Sequence, residues 1–440
     1  METYSKAIII GIITLLITSP ITSSTNILTT QNQQNPQNKP TTTMAQNITN
    51  PKIVEILEKI NETMIKNYMQ DLLSVSPRMT GTYGCEKAAE YIYQQFKNTG
   101  MQTRYHDWES FGNRWNPGFF KAQNVEATLK GTDENDDEIL IFNAHYDTVK
   151  VAPGANDDGS GTVAVMAAAY VLSQYQFNRT IKFVTFSGEE IGLRGSRAYV
   201  EELYENDTDI LVEFNADMIG HAVTSEGGKA MGFSTTEDVE WIPDIIEKLS
   251  IEIGLNFQIN RGKINREHSG WSDYGPFTKY GYEAVACWGS DRDPNMHEPE
   301  DDITNVNISY LVNTTKHIAG VLVYLADFEN SQPQIKIANP RRGRLYYEDR
   351  TIKDLRFEKT MVFNDVLICT EVKPGDSAID RVEFYYDGKL KHTDTEIPFQ
   401  WRLNKFSIWK HDIKVEVYDE QGKNASDTIN FYFFNANKNK

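Results

Sequence analysis

The chain has 440 residues, 40% of them hydrophobic, which is enough for two domains with substantial cores. Its formal net charge of −18 argues against nucleic acid as a partner, because no extended basic face accompanies it. Three cysteines are too few for a fold held together mainly by disulfides, and at least one of them must be unpaired.

The first 50 residues predict export. Ala7–Ile17 is an apolar run after Lys6 that is short for a membrane span and has the length of a signal peptide. We assign residues 1–18 to a signal peptide, with a retained membrane anchor as the alternative because the usual cleavage pattern is missing. Residues 19–50 are rich in Ser, Thr, Asn and Gln and predict a disordered linker. The expected location is secreted or extracellular, with a membrane tether through the apolar segment as the alternative.

Residues 51–330 are predicted to form an α/β domain. Helical patterns at Pro51–Tyr68 and Cys85–Asn98 begin it, and Gln123–Leu129 is a predicted strand that should pair with Glu138–Ala144. The later helices are expected at Glu237–Ile253 and Ile308–Asp327.

A strand–helix–strand unit lies at the centre of this domain. Glu138–Ala144 and Ile181–Phe186 are β-rich apolar runs, and Gly159–Tyr175 between them has apolar residues at helical spacing. Such units form parallel sheets, which bind ligands beyond the carboxyl ends of their strands. Two more β-like runs follow at Ile210–Phe214 and Glu283–Trp288. The predicted fold is a mixed, mainly parallel sheet with helices on both faces.

Residues of the kinds that bind metals follow these strands. A lone histidine after a strand, or one acidic turn, is ordinarily a surface or solvated feature. Several such residues in order, each placed after a strand or at a turn, are not expected by chance. The candidate ligands are the two imidazoles and three carboxylates of His145, Asp157, Glu190, Asp217 and His297. Glu189 is an additional carboxylate that is not needed as a ligand.

The chemistry of this set predicts a hydrolase. Mixed imidazole and carboxylate ligands suit zinc or a similar divalent ion. Hydrolases with two metal ions roughly 3.5–4 Å apart need a carboxylate that bridges them. Two divalent ions and three carboxylates leave one positive charge, which a bridging hydroxide would neutralise, and that hydroxide would be the nucleophile. Glu189 is placed to take its proton and return it to the leaving amine. The expected cofactor is two Zn²⁺ per chain.

The motifs that carry these residues resemble those of a known family. HYD, GANDDGSG, SGEEIGLRGS, NADMIG and MHEPED occur in this order between Pro51 and Asn330. They resemble the co-catalytic di-zinc exopeptidases, the family of secreted bacterial aminopeptidases that also contains glutamate carboxypeptidase and glutaminyl cyclase relatives. The resemblance implies the zinc-exopeptidase fold.

The resemblance also implies how the ligands divide. His145, Asp157 and Asp217 would hold one zinc ion. Asp157, Glu190 and His297 would hold the other, so that Asp157 bridges the two.

Further roles come from the same resemblance. Glu189 would be the general base, and Asp147 would hydrogen-bond the imidazole of His145 and fix its tautomer. Ser272 would lie near the last histidine. The peptide bond between Asp157 and Asp158 would be cis.

Residues 331–440 are predicted to form a separate all-β domain. Period-two alternation with turn signals appears at Val382–Tyr386, Ile413–Val417 and Ile429–Phe433, which predicts an antiparallel sandwich. The segment resembles the immunoglobulin-like modules of exported enzymes. It contains no catalytic constellation, so we expect it to attach the enzyme to a cell surface, bind substrate or act as a spacer. Three arginines between residues 341 and 344 are expected at the junction with the first domain.

The sequence therefore predicts an exported zinc-dependent exopeptidase, an aminopeptidase that releases N-terminal residues from peptides. A carboxypeptidase or another amide hydrolase at the same site is the alternative, because family membership does not fix which end of the peptide is cut. A cyclase is less favoured, since those relatives work with one zinc ion. A non-catalytic receptor or adhesion protein is ranked last, because relatives of that kind tend to lose ligands and this chain retains all five.

Overall fold

The computed structural model describes residues 51–133, 138–266, 270–327, 333–355, 359–374 and 377–435. The predicted signal peptide or anchor (residues 1–18) and the predicted linker (19–50) lie outside these ranges, as does the predicted domain boundary after residue 330. Among the described residues, no helix combines the length and the apolar character needed to cross a membrane.

An eight-stranded mixed sheet forms the centre of the first part of the chain. Its strand order is β1-β2-β4-β3-β5-β8-β6-β7. The four strands β4, β3, β5 and β8 run parallel to one another, while β2 and β6 join them antiparallel on either side. The strands are β1 Gln102–Phe111, β2 Phe119–Leu129, β3 Ile139–His145, β4 Thr180–Phe186, β5 Ile210–Ala216, β6 Ala230–Thr235, β7 Gln258–Lys263 and β8 Ala284–Gly289.

Helices cover both faces of this sheet, as predicted. Successive residues of a strand point to opposite faces, and on β3 Phe142 belongs to the larger core while Ile141 packs in a smaller one with Tyr199 and Phe277. The described α-helices are α1 Pro51–Glu58, α2 Glu62–Leu73, α3 Tyr83–Asn98, α4 Gly159–Leu172, α5 Arg194–Glu205, α6 Ile242–Glu252, α7 Tyr274–Lys279 and α8 Ile308–Ala326.

Helix α4 is where the sequence predicts a helix, but it is buried on almost every side and not only on one apolar face. All of its residues except Tyr170 are buried, so the helix packs against neighbours on every side. The side chain of Asp158 caps its first turn by accepting a hydrogen bond from the Gly161 amide at 2.9 Å. A side chain at Gly161 would place its Cβ 2.2 Å from the carbonyl oxygen of Ala216, so only glycine allows this approach.

Two predictions about this domain were wrong, one about the sheet and one about the first helix. β2 does not pair with β3, because β4 lies between them: the crossover through α4 places β4 parallel to β3, and β2 then pairs with the free edge of β4. The single helix predicted over Pro51–Tyr68 is two helices, because Asn61 caps a new helix by accepting a hydrogen bond from the Met64 amide at 3.1 Å.

The last part of the chain forms two β-sheets around a common apolar core, as predicted. The core contains Val382, Phe384, Val415 and Phe431 among other buried residues. The seven-stranded sheet has the order β11-β10-β12-β18-β17-β14-β15, and the three-stranded sheet has the order β16-β13-β9. The strands are β9 Gln334–Asn339, β10 Arg344–Tyr347, β11 Arg350–Asp354, β12 Thr360–Phe363, β13 Val366–Lys373, β14 Ile379–Tyr386, β15 Lys389–Asp394, β16 Gln400–Leu403, β17 Ser407–Asp419 and β18 Asn424–Asn435.

The sandwich is not antiparallel throughout. β12 runs parallel to both of its neighbours, β10 and β18, whereas the other described pairs of these two sheets are antiparallel. Alternation along a strand records which side chains face the core, but it carries no information about the direction of the neighbouring strand.

The arginine cluster lies at the junction between the two parts, as expected. Arg341 and Arg344 both pair with Asp207, which follows α5. The carbonyl oxygen of Arg342 accepts a hydrogen bond from the hydroxyl of Tyr204 at 3.1 Å. The cluster therefore joins the sandwich to the α/β sheet.

The three cysteines, all within the described residues, are free thiols.

Candidate metal centre

The five predicted ligands come together at the carboxyl ends of the parallel strands. His145 is the last residue of β3, and Asp217 follows β5 directly. Asp157 precedes α4, Glu190 lies in the turn after β4, and His297 lies in the loop after β8. The topology places all four strand ends on one edge of the sheet, so the ligands meet there.

The ligands form two groups that share Asp157. Its Oδ1 lies 3.3 Å from Nε2 of His145, and its Oδ2 lies 3.1 Å from Nε2 of His297. Nε2 of His145 is also 3.9 Å from Oδ1 of Asp217, and Nε2 of His297 is 3.2 Å from Oε2 of Glu190. The two oxygens of one carboxylate thus face two different imidazoles, which is the arrangement a bridging ligand requires.

Asp158 is close to the first group, but its carboxylate already accepts hydrogen bonds from backbone amides. It forms a cluster with His145 and Asp217 that could hold a metal ion. However, its carboxylate accepts hydrogen bonds from the backbone amides of His145 at 3.2 Å, Gly161 at 2.9 Å and Met218 at 3.2 Å. These bonds assign Asp158 to fixing the backbone around the ligands. The peptide bond between Asp157 and Asp158 is cis, so that prediction is confirmed.

The donor set fits zinc in both chemistry and spacing. Nitrogen and oxygen ligands about 2.0–2.1 Å from a tetrahedral zinc ion lie roughly 3.3 Å from each other. Three of the four distances between imidazole and carboxylate atoms, at 3.1, 3.2 and 3.3 Å, match that spacing. The buried Oε1 of Glu190 has no hydrogen-bond partner among the described residues, which leaves it free to act as a ligand.

Asp147 holds His145, but through its backbone. Nδ1 of His145 lies 3.1 Å from the carbonyl oxygen of Asp147 and 3.7 Å from its carboxylate. A carbonyl can only accept, so Nδ1 donates and the lone pair of Nε2 faces the candidate metal position. The carboxylate of Asp147 instead accepts the hydroxyl of Thr80 at 2.8 Å and the backbone amide of Glu189 at 3.2 Å. Asp147 therefore positions His145 and Glu189 together.

The turn that carries Glu189 has a sharply defined backbone. Gly188 has a φ of 77°, and a Cβ there would lie 2.6 Å from the ring of Trp108, so the position requires glycine. The hydroxyl of Thr80 accepts a hydrogen bond from the Gly188 amide at 2.9 Å. The carbonyl of Glu189 accepts the amides of Gly192 and Leu193.

Burial and neighbouring charges shift the pKa values of three side chains in the centre. Burial raises the pKa of Glu189 well above its ordinary value, which suits a group that must take up a proton. Asp157 and then Glu190 raise the pKa of His297 to about 10. Burial would raise the pKa of Asp157, but the adjacent imidazoles of His145 and His297 outweigh it and hold that pKa below its ordinary value.

Sequence reasoning missed two residues that hold the centre in place. Asp301 is fully buried and accepts the backbone amides of Asn156 at 2.8 Å and Asp157 at 3.0 Å, so it fixes the backbone of the bridging ligand. Thr80 had no recognisable signal. Asp301 lies in the acidic run after His297, where a pattern of adjacent carboxylates did not show which of them points inward. Ser272 is buried and adjoins the candidate ligand Asp217. Its position near His297 stays a prediction.

The fold and the two adjoining groups of candidate ligands resemble a zinc-exopeptidase centre, and comparison with known proteins shows which family the chain is similar to. Residues 124–322 match peptidase family M28. This match confirms the resemblance predicted from the motifs.

Individual relatives agree with this assignment. Aminopeptidase YwaD of Bacillus subtilis (strain 168) is 30% identical over 279 residues, which is 60% of this chain and 56% of that protein. Leucine aminopeptidase 2 of Trichophyton equinum is 28% identical over 221 residues, which is 44% of this chain and 43% of that protein. The chain thus spans about half the length of the curated relatives it matches.

Solved structures show the same fold. The aminopeptidase from Aneurinibacillus sp. strain AM-1 superposes with a TM-score of 0.53 and 18% identity, covering 62% of this chain and 96% of that chain.

Proposed function

We propose that this chain is a zinc-dependent aminopeptidase that removes residues from the free N-termini of peptides. The observation that carries the proposal is the placement of Asp157, whose two carboxylate oxygens face the imidazoles of His145 and His297. A single carboxylate shared in this way would bridge two adjacent metal ions and so supports a centre with two metal positions. Names of relatives such as aminopeptidase YwaD support the reaction class.

The five ligands would hold two zinc ions. His145, Asp157 and Asp217 form one set, and Asp157, Glu190 and His297 form the other. Zinc bound there would supply a water nucleophile of lowered pKa and Lewis-acid polarisation of the scissile carbonyl.

Glu189 would carry the proton in this reaction. Its neighbour Glu190 faces His297, whereas the carboxylate of Glu189 makes no hydrogen bond to the described residues and is free to act as a base. The backbone of Glu189 is fixed by Asp147 and by the turn bonds to Gly192 and Leu193. A positioned carboxylate of this kind can accept a proton from the nucleophile and donate it to the leaving amine.

The charge around the centre favours a free amine over a free carboxylate as the recognised end of the substrate. The carboxylates of Asp147, Asp157, Glu189, Glu190 and Asp217 would offset the charge of two divalent ions. Within the described part of the chain, the ion pairs of the ligand carboxylates are all with histidine. The buried guanidinium of Arg78 donates instead to the backbone carbonyls of Tyr146, Pro153 and Gly154. A carboxypeptidase would need a cation to hold the terminal carboxylate of its substrate.

Paired peptides test both the reaction and its direction. One peptide has a free N-terminus and the other is acetylated, and each is offered to zinc-loaded wild type, to Glu189→Gln and to Glu205→Gln as a matched surface control. We expect release of the first residue from the free peptide only, with the rate reduced by orders of magnitude in Glu189→Gln and unchanged in Glu205→Gln. Cleavage of the acetylated peptide from its C-terminus would show a carboxypeptidase instead. Bound zinc with no hydrolysis of any amide would support a receptor or adhesion protein.

We also propose that the protein is exported and that its sandwich binds a cell surface or substrate. The apolar run Ala7–Ile17 and the polar segment after it support export. Fractionation of cells that produce the full chain tests this proposal, since export predicts the protein in the medium or on the outer surface. Recovery from the cytosol alone would contradict it.

A further inference from the structure

The tip of the hairpin between β1 and β2 displays three large aromatic side chains. Phe111 is 70% exposed, Trp115 75% and Phe119 51%. Phe111 and Phe119 form the last cross-strand pair of the hairpin, with ring centroids 5.2 Å apart. Large aromatic side chains grouped in the open are typical of binding surfaces. We refer to residues 111–119 as the aromatic tip.

The aromatic tip is held in a defined shape. The side-chain oxygen of Asn113 accepts the amides of Trp115 at 2.9 Å and Asn116 at 2.8 Å. The amide of Gly112 donates to the carbonyl of Gly118 at 2.9 Å and closes the loop. The guanidinium of Arg114 lies 4.2 Å from the centre of the Trp115 ring. A side chain that is already positioned loses less conformational freedom when it binds.

The aromatic tip also adjoins the metal centre. The side-chain amide of Asn116 lies 3.4 Å from the carbonyl oxygen of Glu190, a predicted ligand, and donates to it. Arg194, just after the same turn, donates to the carbonyl of Gly112 at 3.3 Å. Trp115 precedes Asn116, so their Cα atoms are about 3.8 Å apart. An extended peptide advances about 3.4 Å per residue, so a bound peptide needs only a few residues to pass from the ligands to the tip.

We propose that the aromatic tip is a subsite for apolar side chains downstream of the scissile bond, in particular at the third residue of a peptide substrate. This inference rests on the proposed aminopeptidase function. The first residue of the substrate ends at the scissile bond and must lie among the buried ligands. The tip is at the surface, where only the remainder of the peptide can reach it. The preferred substrates are therefore peptides of at least three residues with an aromatic or large aliphatic third residue.

The test compares two tripeptides that differ only at the third residue, Leu-Gly-Phe and Leu-Gly-Gly, in the zinc-loaded full chain. The quantity measured is the ratio of their kcat/KM values in wild type, Trp115→Ala and Trp115→Phe. Trp409→Ala is the matched control, because Trp409 lies on β17 of the sandwich and is also 75% exposed. Thermal unfolding of each variant shows whether it is folded.

We expect wild type to prefer Leu-Gly-Phe by about five- to tenfold, because one aromatic contact contributes a modest free energy. Trp115→Ala should reduce the ratio to about one, mainly through a higher KM for Leu-Gly-Phe, because the contact is present equally in bound substrate and transition state. Trp115→Phe should retain most of the preference, and Trp409→Ala all of it.

Three results would overturn the inference. Wild type could cleave both tripeptides equally well, which would leave the aminopeptidase function standing without this subsite. Trp115→Ala could keep the full preference, and if it also lost adsorption to phosphatidylcholine vesicles, the aromatic tip would be a membrane contact. Failure of wild type to cleave either tripeptide, or any other peptide, would overturn the proposed function and this inference with it.

Discussion

The two histidines of the metal centre lie in contrasting surroundings. The side chain of His145 is 1% exposed at the end of a central strand, and its Nδ1 is held by a backbone carbonyl. The side chain of His297 is 46% exposed in the loop after β8, with a left-handed backbone φ of 66°. Both imidazoles face the same carboxylate, Asp157. One half of the centre is therefore part of the folded core, and the other half is brought to it by a surface loop.

The contrast indicates that the two proposed metal positions should respond differently when one of their ligands is replaced. A ligand in the core contributes to packing as well as to metal binding, whereas a ligand on an exposed loop contributes mainly to metal binding. Asp157 belongs to both halves, so its removal should affect both positions.

Replacing the shared carboxylate should have the largest effect. Asp157→Asn keeps the shape of the side chain but removes its charge, so we expect at least a thousandfold loss of kcat/KM and fewer than two zinc ions per chain. Metal analysis of the purified protein and peptide hydrolysis measure these changes. Asp302→Asn is the control, since Asp302 is in the same acidic run as Asp301 and its side chain bonds only to Thr304 among the described residues. Equal damage in both variants would contradict the assignment of Asp157.

Separate replacement of the two histidines tests the contrast itself. We expect His297→Ala to lose one zinc ion and most activity while the apo protein unfolds at nearly the wild-type temperature. His145→Ala should lose similar activity and also lower the Tm of the apo protein by several degrees, because it leaves a cavity in the core. Calorimetry after treatment with a chelator compares the two variants. Equal Tm changes would show that burial does not distinguish the two halves.

Asp147→Asn should have an intermediate effect. The replacement keeps the backbone carbonyl that holds His145 but weakens the acceptor for the amide of Glu189 and the hydroxyl of Thr80. Loss of such an outer contact typically reduces activity or metal affinity 10–100-fold. We expect kcat to fall within that range while KM and zinc content stay close to wild type. A change confined to KM would show that Asp147 acts on substrate binding instead.

Replacement of His317, a buried histidine outside the metal centre, should have the smallest effect on activity. His317 is fully buried on α8 and bonds to the carbonyl of Asn313 at 2.7 Å and the hydroxyl of Ser250 at 2.8 Å. Burial lowers the pKa of His317 to about 4. The unfolded chain therefore takes up this proton at higher pH than the folded protein does.

The sign of the pH effect follows from that difference. The contribution of neutral His317 to stability is fully present above about pH 6.5, and it is lost as the pH falls from about 6.5 to about 4. The loss is on the order of 3 kcal/mol for this pKa difference. Urea unfolding between pH 4 and 7 should show a steeper decline for wild type than for His317→Gln, with little change in kcat at neutral pH. Parallel pH dependences in the two proteins would contradict a neutral His317.

Much of the candidate site could be predicted from the sequence because each ligand is next to a strand with a strong apolar pattern. Strands β3, β4, β5 and β8 were all recognised, and the parallel arrangement then brings their ends together. Strands β1, β6 and β7 were missed. Only three of the ten residues of β1 and three of the six residues of β6 are hydrophobic, and β7 reads QINRGK with little apolar alternation.

What could not be predicted depends on contacts between segments distant in the chain. Asp301 reaches the backbone of Asp157 across 144 positions, and Thr80 reaches Asp147 across 67. Local sequence patterns indicate which face of a strand or helix is apolar. They do not indicate which distant polar side chain will form a hydrogen bond with a given backbone amide. The same limit explains the order of β2, β3 and β4, which follows from the crossover and not from the composition of any strand.

The central claim is that Asp157 bridges two metal ions. Anomalous diffraction at the zinc absorption edge, from crystals of zinc-loaded protein, tests it directly. We predict two peaks roughly 3.5–4 Å apart, one beside Oδ1 of Asp157 with His145 and Asp217, the other beside Oδ2 with Glu190 and His297. A single peak, or two peaks that do not share Asp157, would contradict the account.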